Sequence, residues 1–210
     1  KVYVATDHGP IARLSRDAGF TALMTPESCA TGTDRIASAL TQISGPEPSL
    51  IVNIQGDEPM TTPEMINLAL QPFKKGNSVN VVNLVGEMHS DDEFEDANEV
   101  KVVIDKNSEA LYFSREPIPS KKKGVTNGPM FKQICVIPFT REYLLKFNNM
   151  KETDLERIES VDMLRIIENG DKIKMVFSDS PSYSVDTEKD LEKVVSKMAE
   201  DKLMWTYLTN

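Results

Sequence analysis

Leu50-Ile-Val-Asn-Ile-Gln-Gly-Asp-Glu-Pro59 falls into two halves of different character. Leu50 to Ile54 is a nearly unbroken apolar, partly β-branched run with the length of a buried strand, and it stops abruptly at Gln55-Gly56-Asp57-Glu58-Pro59. Pro59 cannot continue a ladder, and Gly56 lets the backbone come close to a ligand. Two adjacent carboxylates at the end of a buried strand point to a hard cation and a phosphate. Solvated turn acids ahead of a helix beginning near Thr62 are the competing reading, and this stretch alone does not separate the two.

On either side of this strand the chain alternates strand and helix. Lys1 to Ala5 reads as a strand ending at Thr6-Asp7-His8-Gly9, with Pro10 placed for a first helical turn. The helix that follows carries Ile11, Leu14 and Ala18 at helical spacing and stops at Gly19. Thr21 to Met24 is a short strand. A polar loop, Thr25 to Arg35, leads into a helix whose Ile36, Leu40 and Ile43 share one face. Beyond Pro59, Thr61-Thr62-Pro63-Glu64 is a helix start with a threonine cap and an early acid. Val79 to Val85 is a strand, and the acidic run Asp91 to Asp96 is a short helix or a loop. Val100 to Asp105 and Ala110 to Arg115 make a hairpin turned by Lys106-Asn107-Ser108. The basic loop Pro117 to Pro129, which holds Lys121-Lys122-Lys123, leads to a strand over Lys132 to Pro138. Helices are expected at Thr140 to Asn148 and Asp154 to Asn169, the second stopped by Gly170. A strand at Lys172 to Phe177 precedes a closing helix that runs to about Met204, with Thr187 as cap and Glu188 in its first turn. The apolar tail around Trp205 and Tyr207 is expected to close the core, with packing on a partner subunit as the alternative. This order predicts one α/β domain over residues 1–210: a mostly parallel, Rossmann-like sheet with helices on both faces and an inserted β-hairpin region at 98–139.

Composition narrows the class. The chain has 210 residues, 40% of them hydrophobic, which is enough for a real core. Its 33 acids against 24 bases give a net charge of -9, which argues against a nucleic-acid backbone as partner. No apolar run approaches the roughly 20 residues of a membrane span, so no membrane partner is expected. Cys29 and Cys135 are far apart and lack metal spacing, which fits a reducing cytoplasmic location.

In an open α/β sheet, ligands collect beyond the carboxyl ends of the strands. Thr6-Asp7-His8, Gln55-Gly-Asp-Glu and Val185-Asp186-Thr187 are therefore expected on one rim. Asp57 and Asp186 together would serve as a magnesium pair, since Mg²⁺ needs only one or two carboxylates, the rest of its octahedron being water and phosphate. An ordinary helix-capping acid is the competing reading of Asp186.

Several stretches carry a wider likeness: Ala5-Thr-Asp, Thr31-Gly-Thr-Asp-Arg35, Val52-Asn-Ile-Gln-Gly-Asp-Glu-Pro59, Asn98-Glu-Val-Lys-Val-Val, Ala110-Leu-Tyr-Phe-Ser-Arg115 and Val185-Asp-Thr-Glu-Lys-Asp-Leu191. In this wording and order the chain resembles the 3-deoxy-manno-octulosonate cytidylyltransferases, or CMP-Kdo synthetases, over nearly its whole length. The resemblance implies a nucleotidyltransferase sheet and a magnesium-dependent cytoplasmic enzyme, typically a homodimer. The reaction it implies is transfer of CMP from CTP to the anomeric hydroxyl of a keto-sugar acid, with release of pyrophosphate, for lipopolysaccharide or capsule synthesis. By the same resemblance, Asp57 and Asp186 are the catalytic, metal-binding carboxylates. Thr31, Gly32, Thr33 and Arg35 match the segment near the cytidine, and Gln55, Ser114 and Arg115 lie towards the sugar acid.

The chain departs from the family pattern at two places. The family opens with a strand and an Arg/Ser/Pro/Lys-rich loop that cradles the triphosphate; here the sequence starts at Lys1, already inside a strand-like run, so that element is expected upstream. At the sugar end, the usual His-Leu-Gly-Ile-Tyr appears as Gln133-Ile-Cys-Val-Ile137, and Glu-Gln-Leu-Arg as Asp162-Met163-Leu164-Arg165. Gln133 and Asp162 keep polar function for substrate binding, whereas Ile137 and Met163 remove hydrogen-bonding groups, which points to Kdo or a modified Kdo as acceptor. Another sugar-acid nucleotidyltransferase, and an inactive binding domain of the same fold, remain the alternatives.

Overall fold

The computed structural model describes residues 1–74, 78–124 and 128–208. Part of the expected basic loop, residues 125–127, lies outside them, as do the last two residues of the tail. Strand β1 (Tyr3–Thr6) runs parallel to β2 (Thr21–Met24), and helix α1 (Gly9–Asp17) connects them. Gly19 ends α1 at φ 84°, a conformation that suits a residue without Cβ. Helix α2 (Gly32–Leu40) packs across both β1 and β3 (Leu50–Ile54), yet those two strands do not pair with each other.

β3 is bonded antiparallel to β8 (Val136–Thr140), with Asn53 opposite Ile137. A five-stranded sheet follows in the order β6 (Ala110–Ser114), β5 (Lys101–Ile104), β7 (Phe131–Ile134), β4 (Val82–Glu87), β9 (Lys174–Phe177). An isolated bridge between Val81 and Phe139 links the two sheets. The α/β class holds, but the sheet is mixed rather than mostly parallel. Among the described residues only the β1/β2 and β4/β9 pairings are parallel. Parallel pairing needs a crossover, and β7 and β8 follow the β5–β6 hairpin with no helix between them among the described residues.

Alternation along β4 sends its residues to both faces. Val81 and Val85 join Phe139, Leu144, Phe147, Met163, Leu164 and Met175 in the main core, beneath α2, α6 (Arg141–Asn148) and α8 (Met163–Glu168). Val82 and Leu84 join Met65, Ala69, Ile134 and Val136 on the other face, beneath α3 (Pro63–Ala69). Two short helices, α4 (Gln71–Lys74) and α5 (Asp91–Glu95), flank β4 in the chain.

Three expected continuous elements are broken. The strand expected over Lys132 to Pro138 divides at Cys135, so that β7 bonds to β4 and β8 to β3. The helix expected over Asp154 to Asn169 divides at Ser160, whose φ of 53° cannot lie inside a right-handed helix, leaving α7 (Asp154–Glu159) and α8. The closing helix divides into α9 (Glu188–Ala199) and α10 (Lys202–Leu208). Conversely, α2 starts three residues before Arg35, because the Thr31 hydroxyl accepts the Asp34 amide.

Two packing expectations also change. Ile11 and Leu14 on α1 are 48% and 71% exposed, while Ala12 is buried. In the tail, Trp205 and Tyr207 are 53% and 65% exposed and do not close the core. Among the described residues no helix is long and apolar enough to cross a membrane.

Candidate active site

The ends of β3 and the segment before α9 meet. The Val185 amide donates to the Asp57 carbonyl at 2.9 Å, which sets Asp186 beside Asp57. Both line a cavity of about 410 Å³ together with Gln55 and Glu58. Burial pushes the Asp57 carboxyl above its usual range, and the Asp186 charge pushes it further. Asp57 Oδ1 is buried with no hydrogen-bond partner. Adjacent Glu58 differs: one oxygen accepts the Cys135 amide at 3.1 Å and the other the Ser182 hydroxyl at 2.6 Å.

The second wall comes from α2 and the α7–α8 break. Thr31 and Gly32 line the cavity at the start of α2. Thr33 is buried beneath them, bonded to Asn53 of β3 at 3.2 Å and to Asp162. Burial raises the Asp162 carboxyl above its usual range. Behind it Arg165 donates twice to Glu156, at 2.8 and 2.5 Å, and once to Asp34 at 3.2 Å. This paired buried cation fixes α2 against α7 and α8; without its acids it would be an uncompensated buried charge.

The third wall is the β5–β6 hairpin and β7. Buried Lys101 donates to the carbonyls of Asp96, Glu99 and Arg115, so all three ammonium protons are used. That holds Asn98 and Glu99 against the start of the loop after β6. Arg115 itself donates to the carbonyls of Glu159, Ala97 and Ser160, leaving two of its five N–H groups for a ligand. Gln133 is oriented by Asn83 at 2.6 Å and lines the cavity.

Seven carboxylate side chains and two guanidinium groups line this space. Their combined field is visible on Cys135: burial raises its thiol well above the ordinary value, and Glu58, Asp57, Asp162 and Asp186 raise it further. A polyanionic ligand could not enter such a site without cations. The orphaned Asp57 oxygen beside Asp186 fits a divalent metal, and no group of three or more metal-ligating side chains exists among the described residues, so the ligand and water would complete its shell.

The family model described as Cytidylyltransferase matches residues 1–173. A 3-deoxy-manno-octulosonate cytidylyltransferase of Fusobacterium nucleatum is 37% identical over 200 residues, covering 95% of this chain and 80% of the relative. One from Geotalea daltonii is 38% identical over 210 residues, covering 95% and 82%. The chain belongs to the 3-deoxy-manno-octulosonate cytidylyltransferase family. A solved CMP:2-keto-3-deoxy-manno-octonic acid synthetase in complex with CTP superposes with a TM-score of 0.85 at 30% identity, covering 95% of this chain and 81% of that one. The 4-diphosphocytidyl-2C-methyl-D-erythritol synthase of Anaerococcus prevotii, at 13% identity and a TM-score of 0.57, shares the fold alone.

Within this cytidylyltransferase, the expected site residues Thr31, Gly32, Gln55, Asp57, Arg115, Gln133, Asp162 and Asp186 come together around one cavity. Thr33, Arg35 and Ser114 do not line it. Arg35 turns to Asp7 and Thr25, at 2.7 Å each, and ties α2 to the β1–β2 unit. Asp7 is thereby paired away from the rim expected to hold it. Ser114 is buried and donates to Glu159 at 2.8 Å. Ile137 and Met163, expected to alter the sugar end, are fully buried in the core and do not line this cavity. Sequence reasoning missed the cavity roles of Cys135, Glu156, Arg157, Ser160, Ser182 and Ser184. The polar run before Val185 was the available signal for the two serines, whereas Ser160 needed the helix break to be seen.

Proposed function

We propose that this protein transfers CMP from CTP to the anomeric hydroxyl of Kdo and releases pyrophosphate. The observation that carries the reading is the Asp57–Asp186 pair, one oxygen buried and unpartnered, in a family whose CTP-bound relative superposes over nearly the whole chain. Asp57 and Asp186 would hold Mg²⁺, which when bound supplies charge neutralisation at the phosphates and lowers the pKa of an attacking hydroxyl. The sugar hydroxyl bonds to the α-phosphorus as the bond to the pyrophosphate oxygen breaks. The chain's own residues position the partners for this in-line exchange. Thr31 and Gly32 flank the nucleotide, while the free N–H groups of Arg115 and the Gln133 amide face the acceptor carboxylate and hydroxyls. No second reading is favoured by any group in the cavity, because Ile137 and Met163 do not reach it and the acceptor wall keeps Gln133 and Asp162. Dimerisation, a cytoplasmic location and a role in lipopolysaccharide or capsule synthesis belong to the same proposal.

The test is pyrophosphate release with CTP, Mg²⁺ and a panel of keto-sugar acids. Kdo should be the preferred acceptor. Asp57→Asn should lower the rate about 100-fold or more, since altering even the outer partners of a metal ligand costs about 10–100-fold in metal affinity. Absence of release with every acceptor, or an Asp57→Asn rate equal to wild type, would refute the assignment.

A further inference from the structure

Asp57 and Glu58 are neighbours with opposite fates. Both line the cavity, but one Asp57 oxygen is buried without a hydrogen-bond partner, whereas Glu58 is 6% exposed and both its oxygens are engaged. The partners of Glu58 are the informative part. Cys135 is the residue at which the chain leaves β4 and joins β3, and its amide has no ladder acceptor. Its carbonyl accepts the Gln55 amide at 3.3 Å, so the break is fastened to the end of β3 from both sides. Ser182 belongs to the extended segment between Ser178 and Thr187, which carries Asp186 and has no helix or strand of its own.

That segment leaves β9 through a bond from the Ser178 amide to the Val85 carbonyl. It next reaches the site through two links, Ser182 to Glu58 and Val185 to the Asp57 carbonyl. An irregular segment ordinarily samples many backbone conformations, and only contacts of this kind fix where its side chains point. Glu58 therefore holds both the strand break beneath Asp57 and the segment that carries Asp186.

We propose that Glu58 is a positioning residue: by bridging the Cys135 amide and the Ser182 hydroxyl it fixes the separation of Asp57 and Asp186. This rests on the reading of Asp57 and Asp186 as the seat of the divalent metal. In this arrangement each Glu58 oxygen is committed to a protein hydrogen bond, so the unpartnered oxygen of the pair is that of Asp57. The role has a chemical logic. Two like charges held close cost free energy, so the pair must be built by groups that do not themselves bind the cation, and a short bridge from the adjacent residue is the most direct such group.

Two readouts test it on the full chain. The first is amide exchange at Val185 in protein without metal. Loss of a hydrogen bond to a carboxylate should speed that exchange about tenfold in Ser182→Ala and at least as much in Glu58→Ala. Glu58→Gln, which keeps an acceptor for the Cys135 amide and a group able to bond Ser182, should restore exchange to within about threefold of wild type. The second readout is Mg²⁺ affinity by calorimetry in the presence of CTP, where Ser182→Ala and Glu58→Ala should each weaken Mg²⁺ about tenfold. Unchanged Val185 exchange in Ser182→Ala overturns the tether, and this small change at a half-buried serine outside any helix or strand keeps the test valid should Glu58→Ala not fold. Faster exchange with unaltered Mg²⁺ affinity, while Asp57→Asn loses Mg²⁺, overturns positioning but leaves the metal seat standing. Unaltered affinity in Asp57→Asn overturns the metal seat itself, with the tether still decided by exchange.

Discussion

The β1–α1–β2 unit and the body from β3 to β9 are built to different standards. In the body, Val85, Phe113, Ile137, Phe139, Leu144, Phe147 and Leu164 are all 0% exposed, and α-helices cover both faces of β4. In the small unit Ala12 is the one buried apolar residue, while Val2, Ile11, Leu14, Phe20 and Met24 are 42–74% exposed. The unit is joined to α2 by Arg35, which donates to Asp7 and Thr25. The candidate site sits with the first standard. Every carboxylate around the cavity belongs to residues 57–186, and the only cavity-lining residues before β3 are Ala30, Thr31 and Gly32. The difference shows that a site made of irregular segments is kept in place by a core packed directly beneath it.

The strongest attack on that comparison is to hollow the body. Phe147 lies against Phe139, with ring centroids 6.3 Å apart, and the Arg165 guanidinium stands 4.3 Å from its ring centroid. Phe147→Ala should destabilise the chain by about 3–5 kcal/mol in denaturant unfolding, from lost transfer free energy and the cavity left behind. It should also weaken CTP binding, because Arg165 holds Glu156 and Asp34 behind the cavity wall. A loss below about 1 kcal/mol would mean that the body is no better packed than the small unit.

How much of this was legible in the sequence varies with the physics behind each feature. Helix starts were plain at Thr62, Thr140 and Thr187, each of which accepts a backbone amide from its first turn, a local interaction, whereas the same cap at Thr31 was read as part of the loop running to Arg35. The meeting of Asp57 and Asp186 at one cavity was legible too, since Asp57 terminates an apolar run and Asp186 precedes a cap. Strand direction was not, because an apolar run of five residues reads the same whether its neighbour is parallel or antiparallel. The break at Cys135 was hidden for a related reason: apolar residues continue on both sides of it, and the change of partner from β4 to β3 leaves no mark on composition. Nor could the partner of Glu58 be seen, lying 124 residues further on. The same applies to Arg35, whose charge was matched to the nucleotide by likeness but whose partners are set by how α2 crosses β1.

A gentler attack targets that junction. Arg35→Ala removes the bonds to Asp7 and Thr25, two partly exposed contacts whose combined worth is about 1 kcal/mol. Global stability should fall by about that amount, but amide exchange should rise first in β1 and β2, with β4 and β8 unaffected. If β3 and β8 opened together with β1 and β2, the unit and the body would be one cooperative structure and the contrast between them would not hold.

The smallest expected effect is the most discriminating. Leu14 sits on α1 with 71% of its surface exposed, one turn from Ile11, which is 48% exposed. A side chain so placed contributes little burial, so Leu14→Ser should change stability by no more than about 0.5 kcal/mol, the range for surface substitutions without special contacts. The cost of serine in a helix interior is itself a few tenths of a kcal/mol, and Leu14→Gln, with a propensity close to leucine, removes that contribution. Agreement of the two variants with wild type would confirm that the apolar face of α1 faces water in the 210-residue chain. A loss well beyond 0.5 kcal/mol in both, accompanied by a change in sedimentation, would show that face covered in solution, since side chains at these exposures have no free energy to lose unless something else packs against them.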